Sequence, residues 1–476
     1  MRRSFVLGSA VAVLLIIAGS LFVVGPSLLK GSSSSSAPTS ALSTGSSTSS
    51  QGSASGSVIG EDWTTYHENN ARTGYQQVAN FTSVTRDWNS TPLDGIIFAE
   101  PLVYSGNVFV ATEENMVYSL NGQTGSVVWQ RSLGQPVNAS ILPCGDIEPV
   151  TGITGTPVID PSTGILYVVS YSGATVTHVL SAINSTTGKV LWQRGADPPG
   201  AIVINQQERS ALSLANGMVY IPYGGLAGDC AQYWGWVVGI PANGTGNMVV
   251  YKVPTSREGG IWAPSGLAID PSGNVYAATG NGASITTFDH GDSVIKLSPT
   301  LTEEGYFAPT NWSVLNQNDA DVGSLGPAIV GPNLLFQIGK EGVGYILNAS
   351  QLGGIGGQLF SGNICDESFG GTAFSSPLIF VPCINGLVVL QLGAGSLNFT
   401  SKLLITGINA GAPTVTDGIV WTVDSNTGLL YGFSATSGHQ DYTFSLGPVE
   451  HFTSSAAGDG RLFVPATNIV EAFSLG

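Results

Sequence analysis

The sequence predicts an all-β fold, an eight-bladed β-propeller of four-stranded antiparallel blades. A pattern of short strands and turns recurs about every 35 to 55 residues from Phe98 onward. The chain holds 64 Gly among 476 residues, and only 10% of its residues are charged. Alternating apolar runs broken by Gly, Pro, Asn and Asp are typical of hairpins. One such sheet cannot cover its own apolar faces, so neighbouring sheets are expected to stack into a closed ring.

The clearest repeats cover residues 101–134 and 156–195, and both end in T-G-x-V-x-W-Q. We expect Trp129 and Trp192 of these motifs to wedge between adjacent blades, where each buries a large apolar area. The last repeat is one strand short, and residues 83–91 are expected to supply that strand and close the ring. The looser repeats span residues 211–254, 265–309, 326–362, 372–405, 412–447 and 454–476.

The N-terminus predicts one transmembrane or signal helix ahead of the propeller. Arg2 and Arg3 precede an apolar run long enough to cross a bilayer. Because the run is long and no good cleavage site follows it, an uncleaved anchor over residues 1–30 is favoured over a cleaved signal peptide. Residues 31–57 are almost wholly Ser, Thr, Gly and Ala and read as a flexible linker. Residues 58–476 then form an extracytoplasmic propeller, which is secreted if the anchor is cleaved.

Charge and cysteine content exclude two kinds of site. With 15 Lys and Arg against 31 Asp and Glu, the formal net charge is −16, which excludes a nucleic-acid partner held by charge neutralisation. The four cysteines lack the spacing of a zinc site. An even number in an exported chain indicates two disulfides, with three possible pairings. They are Cys144, Cys230, Cys365 and Cys383.

Four polar or aromatic residues occupy equivalent places in two consecutive repeats. Trp262 and Asp319 precede the innermost strands, and Asn281 and Lys340 end the second strands. Since the chain reverses at each turn, these places meet at one mouth of the channel. Structural interpretations remain open for each residue: blade packing for the Trp, a turn for the Asn, a turn cap for the Asp, and an ion pair with Glu341 or another carboxylate for the Lys.

The T-G-x-V-x-W-Q motifs and the lead-in DWTTYHENNARTGY at residues 62–75 resemble the pyrroloquinoline quinone (PQQ) repeat of quinoprotein alcohol dehydrogenase-like propellers. The resemblance covers residues 62–476. It implies the propeller fold more strongly than it implies a function, because such propellers serve both as PQQ enzymes and as scaffolds such as outer-membrane assembly factors.

The segments GGIW, TGN, NDAD and GKEGVGYIL also look like family segments at the cofactor site. The resemblance implies that Trp262 lies under PQQ, Lys340 contacts the quinone oxygens, and Asn281 binds calcium. It implies that Asp319 is the base if the protein is an enzyme. Asp229 is the candidate for the second calcium ligand, in place of the family's Glu.

The family's adjacent cysteine pair and any CxxCH haem motif are absent from this sequence. We therefore favour a binding or scaffold module that takes a protein partner or a small-molecule alcohol or sugar. The alternative is a PQQ- and calcium-dependent dehydrogenase that oxidises an alcohol or sugar. Hydrolysis by paired carboxylates has weaker support, from Asp319 and Asp321 alone. Finally, the blade register predicts the pairs Cys144–Cys230 and Cys365–Cys383, which brace the same rim.

Overall fold

The computed structural model describes residues 62–78, 80–393, 395 and 397–476. The predicted anchor and linker lie outside these residues, so their boundaries stay predictions. None of the helices in the described part of the chain is long and apolar enough to cross a membrane. The described chain is built almost wholly from strands, with one α-helix, α1, at Trp312–Gln317, and 3-10 helices at Ala139–Ile141, Val203–Asn205 and Val322–Ser324.

Eight sheets follow one another along the chain, each built on four antiparallel strands and three of them extended by a fifth short strand, which confirms the predicted number of blades. Two short strands come first, β1 at Tyr75–Gln76 and β2 at Val84–Asn89. Blade 1 contains β3 Leu102–Tyr104, β4 Asn107–Ala111, β5 Met116–Asn121 and β6 Val127–Ser132. A small hairpin follows, of β7 Val137–Asn138 and β8 Val150–Thr151. Blade 2 contains β9 Val158–Asp160, β10 Ile165–Ser172, β11 Thr177–Asn184 and β12 Val190–Gly195.

The next three blades carry two additional short strands at their edges. Blade 3 contains β13 Gln206–Gln207, β14 Ser213–Ala215, β15 Met218–Gly225, β16 Trp236–Pro241 and β17 Val249–Lys252. Blade 4 contains β18 Ala268–Ile269, β19 Val275–Ala278, β20 Val294–Leu297 and β21 Glu303–Ala308. Blade 5 contains β22 Ala328–Gly331, β23 Leu334–Gln337, β24 Val343–Asn348 and β26 Phe360–Asn363, while β25 Gly354–Ile355 pairs back onto β21.

The last three blades complete the ring. Blade 6 contains β27 Ala373–Ser375, β28 Leu378–Cys383, β29 Gly386–Leu392 and β30 Phe399–Thr406. Blade 7 contains β31 Thr414–Thr416, β32 Ile419–Asp424, β33 Leu429–Ser434 and β34 Gln440–Ser445, with β1 added in parallel to β31. Blade 8 contains β35 Ala456–Gly458, β36 Arg461–Ala466 and β37 Ile469–Leu475.

Blade 8 takes its fourth strand from the beginning of the domain. Strand β2 pairs antiparallel with β37, from Val84 opposite Leu475 to Asn89 opposite Glu471. This is the closure predicted from the missing strand of the last repeat. Because the ends of the propeller chain share one sheet, the ring has no free edge at the junction.

The repeat tryptophans lie between blades, as predicted. Trp129 of blade 1 donates its indole N–H to the carbonyl of Ser185 in blade 2 at 2.8 Å. A Cβ at Gly188 would lie 2.7 Å from the Trp129 ring, and a Cβ at Gly244 would lie equally close to Trp192. Each ring therefore packs flat against a glycine turn of the following blade. Gly188, which belongs to the second T-G-x-V-x-W-Q motif, serves this contact as well as its own turn.

The lead-in segment contacts the innermost strands of successive blades in order. Trp63 forms a bridge to Val103 of blade 1, and Gly74 accepts from Val415 N–H of blade 7 at 2.8 Å. Backbone carbonyls between them accept N–H groups from the intervening inner strands of blades 2, 4, 5 and 6: Ile159, Ile269, Ile329 and Phe374. The side chain of Asn70 reaches Leu214 of blade 3 at 3.0 Å. One short segment thus ties together seven of the eight blades.

Candidate functional site

Blades 4 and 5 bring the four predicted side chains together at one end of the channel. Trp262 lies ahead of β18 and Asn281 follows β19, while Asp319 lies ahead of β22 and Lys340 follows β23. An inner strand starts and its hairpin partner ends at the same rim because the two strands are antiparallel. The four side chains therefore lie at the rim where the strand topology is expected to place them.

The Lys340 ammonium stands at the centre of this group. Its Nζ lies 2.9 Å from Asp319 Oδ1 and 2.7 Å from Asp321 Oδ2. The Asn281 side-chain amide donates to Asp319 Oδ1 at 2.8 Å, and its backbone N–H donates to Asp321 Oδ1 at 2.8 Å. Lys340 Nζ is also 5.6 Å from the centre of the Trp262 ring, within the range of a cation–π contact. One cation therefore links both carboxylates to the aromatic ring.

Burial and charge act against each other in this group. Burial raises the pKa of Asp321, although the nearby Lys340 favours its ionised form. Burial acts to lower the pKa of Lys340, but the charges and hydrogen bonds of Asp321 and Asp319 together outweigh it, so the pKa of Lys340 is raised. Asp292 is fully buried as well, and burial followed by repulsion from Asp321 raises its pKa well above the usual range. Sequence reasoning missed Asp292, which lies in an ordinary-looking turn.

Two contacts decide between the structural interpretations. Lys340 pairs with Asp319 and Asp321 and not with Glu341, whose carboxylate accepts from Asn311 Nδ2 at 2.6 Å. A Cβ at Gly280 would lie 2.7 Å from Asp321 Oδ1 and 3.1 Å from the Trp262 indole nitrogen. The glycine of the TGN segment is therefore required by the close approach of the acid and the ring.

The predicted calcium ligands do not form a ready site. Asn281 Oδ1 is buried without a partner in the described structure, as a free ligand oxygen would be. Asp229 lines the same mouth, but its carboxylate accepts the Tyr233 hydroxyl. Across the described residues, no group of three or more His, Cys, Asp or Glu is placed to hold a metal. Since Lys340 occupies the neighbouring carboxylates, the donor set around Asn281 does not fit calcium as it stands.

The mouth is a cavity of about 690 Å³ with an aromatic wall that the sequence did not predict. The ring of Trp262 lies 6.4 Å from those of Phe369 and Phe452, and these two rings are 6.0 Å apart. The Arg209 guanidinium stands over Phe452 at 5.3 Å and contacts His451 Nε2 at 3.1 Å. Arg209, Phe369 and Phe452 precede the inner strands of blades 3, 6 and 8. Applying the rim argument to every blade would have found them.

The charge of the mouth is unfavourable for PQQ. Two permanent cations line it, Lys340 and Arg209, and Lys340 is already neutralised by its two carboxylates. Arg209 faces Asp146 at 4.0 Å. Because PQQ is a polycarboxylate, it would meet an excess of negative charge here, and the residues present do not fit it. The acidic residues of the lining are Asp146, Asp229, Asp319, Asp321 and Glu367.

Two disulfides brace this rim, and they are the pairs predicted from the blade register. Cys144 is bonded to Cys230, and Cys365 is bonded to Cys383. The first joins the loop that enters blade 2 to a loop of blade 3, and the second lies across blades 5 and 6. Disulfides persist in oxidising compartments, so both fit an extracytoplasmic protein.

Fold and rim together define a β-propeller with a cavity at one mouth, and known proteins share its fold. A family profile described as outer membrane protein assembly factor BamB matches residues 53–299, more than half of the chain. The chain belongs to this PQQ-repeat family, which confirms the resemblance read from its motifs.

Two curated relatives point to different activities. Polyvinylalcohol dehydrogenase of Sphingopyxis sp. (strain 113P3) is 23% identical over 262 residues, which cover 49% of this chain and 37% of that protein. Outer membrane protein assembly factor BamB of Legionella pneumophila (strain Paris) is 21% identical over 224 residues, which cover 46% of this chain and 50% of that protein. The chain therefore spans half or less of each relative.

Solved structures share the fold. Quinohemoprotein alcohol dehydrogenase from Comamonas testosteroni superposes with a TM-score of 0.68 at 15% identity, covering 87% of this chain and 81% of that one. BamB from Moraxella catarrhalis superposes with a TM-score of 0.56 at 13% identity, covering 82% of this chain and all of that one (100%). At these identities the likeness concerns the fold alone.

Proposed function

We propose that the propeller is an extracytoplasmic binding module that takes a neutral, hydroxylated ligand at the mouth. The observation that carries this proposal is the half-buried platform of Trp262, Phe369 and Phe452 beside carboxylates and one ammonium. Aromatic faces cover the C–H surfaces of a ligand, while carboxylates accept its hydroxyl groups and Lys340 donates to them. A neutral ligand avoids both the repulsion that excludes an anion and the cost of displacing Lys340.

The test is a titration of the full chain with polyvinyl alcohol oligomers and with oligosaccharides, followed by Trp fluorescence. Saturable binding is expected, with loss in Trp262→Ala and in Phe452→Ala. Trp234→Ala is the matched control, because Trp234 lies outside the mouth, where Lys252 covers its ring at 3.6 Å. Binding that survives Trp262→Ala, or is absent altogether, would contradict a ligand site at this mouth.

The second candidate is a PQQ- and calcium-dependent dehydrogenase that oxidises an alcohol or sugar. It is favoured by the convergence of Trp262, Asn281, Asp319 and Lys340 and by similarity to a protein named polyvinylalcohol dehydrogenase. Titration with PQQ and calcium separates the two candidates. Calcium-dependent PQQ binding that is lost in Lys340→Ala, with dye-linked turnover abolished in Asp319→Ala, would establish the enzyme. The binding module predicts neither effect.

We further propose that residues 1–30 tether the propeller to the membrane through the linker at 31–57. The charge order of the N-terminus and the length of its apolar run support this arrangement. Cell fractionation tests this proposal. The full chain is expected in the membrane pellet. A variant that lacks residues 1–30 but carries a cleavable export signal is expected in the soluble extracytoplasmic fraction. A full chain found only in the soluble fraction would favour cleavage.

A further inference from the structure

Blades 1 to 3 hold two buried glutamates that the proposed ligand site does not use. Glu113 follows β4 of blade 1, and Glu208 lies ahead of β14 of blade 3. Between them, residues 152–155 form the segment that leads into blade 2. The exposed fractions of Glu113, Glu208 and Thr154 are 2%, 4% and 5%. Carboxylates are almost never buried to this degree unless something compensates their charge.

The hydrogen bonds around these carboxylates are incomplete. Glu113 Oε2 accepts the Gly152 N–H at 2.5 Å. Glu113 Oε1, Glu208 Oε1 and Thr154 Oγ1 are buried and have no hydrogen-bond partner among the residues that the structure describes. The Thr154 hydroxyl nevertheless lies close enough to Glu113 to lower the pKa of its carboxyl. Three buried oxygen atoms without a hydrogen-bond partner therefore lie on or beside residues 152–155, a rare arrangement for a native interior.

No side-chain cation in the described chain pairs with this group. The nearest candidate, Arg209, directs its guanidinium to His451 at 3.1 Å, to Asp146 at 4.0 Å and to the face of Phe452. The charge of Glu113 acts on Glu208, so the carboxylates are close enough to repel each other. The charge of Arg209 acts to lower the pKa of Glu113, but among the described residues neither Glu113 nor Glu208 forms an ion pair like those of Lys340.

Glycines in the segment 152–155 let the carboxylates approach the backbone. A Cβ at Gly155 would lie 2.4 Å from Glu208 Oε1 and 2.5 Å from Glu208 Oε2. A Cβ at Gly152 would lie 2.1 Å from the Glu113 carbonyl oxygen. A larger residue at Gly155 would displace the Glu208 carboxylate, and a larger residue at Gly152 would displace the backbone of Glu113.

We propose that Glu113, Glu208 and Thr154 hold a hard divalent cation of the calcium class. Two carboxylates supply the charge that matches such an ion, and carboxylate and hydroxyl oxygens are its preferred ligands. The site does not include Asn281 or Asp229, and its residues belong to blades 1 to 3, whereas Lys340 belongs to blade 5. It is also independent of the hydroxylated ligand and of PQQ, because none of its three ligands lines the mouth cavity.

The test uses the full chain stripped of metal with EDTA and titrated with calcium chloride by calorimetry, with thermal unfolding in parallel. One saturable site and a rise in Tm are expected. Glu208→Gln keeps the size of the side chain and removes its charge, and it is expected to weaken binding by about 100-fold or more. Thr154→Val is expected to weaken calcium binding by about 10-fold. This variant provides the test if Glu208→Gln does not fold.

Two controls fix the location of the ion. Glu367→Gln removes an exposed carboxylate of the mouth, and Asn281→Ala removes the ligand implied by the dehydrogenase alternative; both are expected to leave calcium affinity unchanged. Loss in Asn281→Ala with retention in Glu208→Gln would overturn the proposal and favour the dehydrogenase site. Failure of calcium to bind, with Glu208→Gln as stable as the native chain or more so, would overturn it in favour of a proton shared by the two carboxyls.

Discussion

Two parts of the rim compensate their buried acids in different ways. On one side Asp321 is compensated by Lys340 at 2.7 Å. On the other, Glu113 and Glu208 form no ion pair among the described residues, although they occupy the same kind of place, after a second strand and before an inner strand. The repeat therefore fixes where a polar residue goes, but the residues at each place determine whether its charge is balanced. A propeller rim is a set of equivalent positions that can be filled independently.

The largest effect is expected from the disulfides, since one braces each side. Cys144–Cys230 closes a separation of 86 residues and Cys365–Cys383 one of 18. In the chain-entropy account, replacing both cysteines of a pair by Ser costs about 5 kcal/mol for the first and about 3 kcal/mol for the second. Urea unfolding of the two double variants measures the difference. Equal losses would mean that local strain, not loop length, dominates.

Removing the cation from the balanced side is expected to cost somewhat less. Lys340→Met leaves Asp321 buried without its partner, which should lower the free energy of unfolding by about 3 kcal/mol. Lys402→Met on the exposed strand β30 is the matched control and should change it by less than about 0.5 kcal/mol. Thermal or urea unfolding of the two variants is sufficient. A similar, small effect in both would show that Asp321 is stabilised by Asn281 alone.

Another buried acid, Glu100, offers an intermediate case. It accepts from Trp63 Nε1 at 2.6 Å, from His67 N–H at 2.8 Å and from Ser454 Oγ at 2.5 Å. Burial still raises the pKa of Glu100 from 4.5 to about 7. The native state thus keeps a proton that the unfolded chain loses, and this group's contribution to stability falls as pH rises from about 4.5 to about 7, by up to about 3 kcal/mol.

Glu100→Gln is expected to remove the share of the pH dependence that Glu100 contributes in metal-free protein. The measurement is the free energy of unfolding at several pH values between 4 and 8, roughly the range in which the two pKa values lie. Glu148→Gln, at an exposed position, is the control and should keep the native slope. An unchanged slope in Glu100→Gln would assign the pH dependence to the Glu208 side.

The smallest effect separates the two acids that share Lys340. The Asp319 side chain is 67% exposed, while that of Asp321 is 7% exposed. Asp319→Asn is therefore expected to change stability by less than about 1 kcal/mol, and Asp321→Asn by about 2 kcal/mol. Unfolding measured side by side checks the order. If Asp319→Asn were the more damaging, the exposed pair would be the structural one.

The fold could be predicted from sequence because its determinants are local and repeated. Blade boundaries, the missing strand supplied by β2, the wedged Trp129 and the rim positions of Trp262 and Lys340 all follow from short motifs. Side-chain compensation could not be predicted in this way. The charged groups near Asp292 and Arg209 lie in loops of other blades. The spacing of residues in the sequence therefore does not predict which charges come together.

The lead-in at residues 62–76 has a consequence for how the domain assembles. Its backbone carbonyls accept hydrogen bonds from inner strands as far along the chain as the one that contains Val415. Strand β2 pairs with β37, the last strand of the domain. The first residues of the domain therefore find their partners only after nearly all the others have been synthesised. Such high contact order makes folding slow and keeps strand edges unpaired in the meantime. Truncation after blade 7 would leave β2 without its partner strand and the ring open, however well each remaining blade is formed.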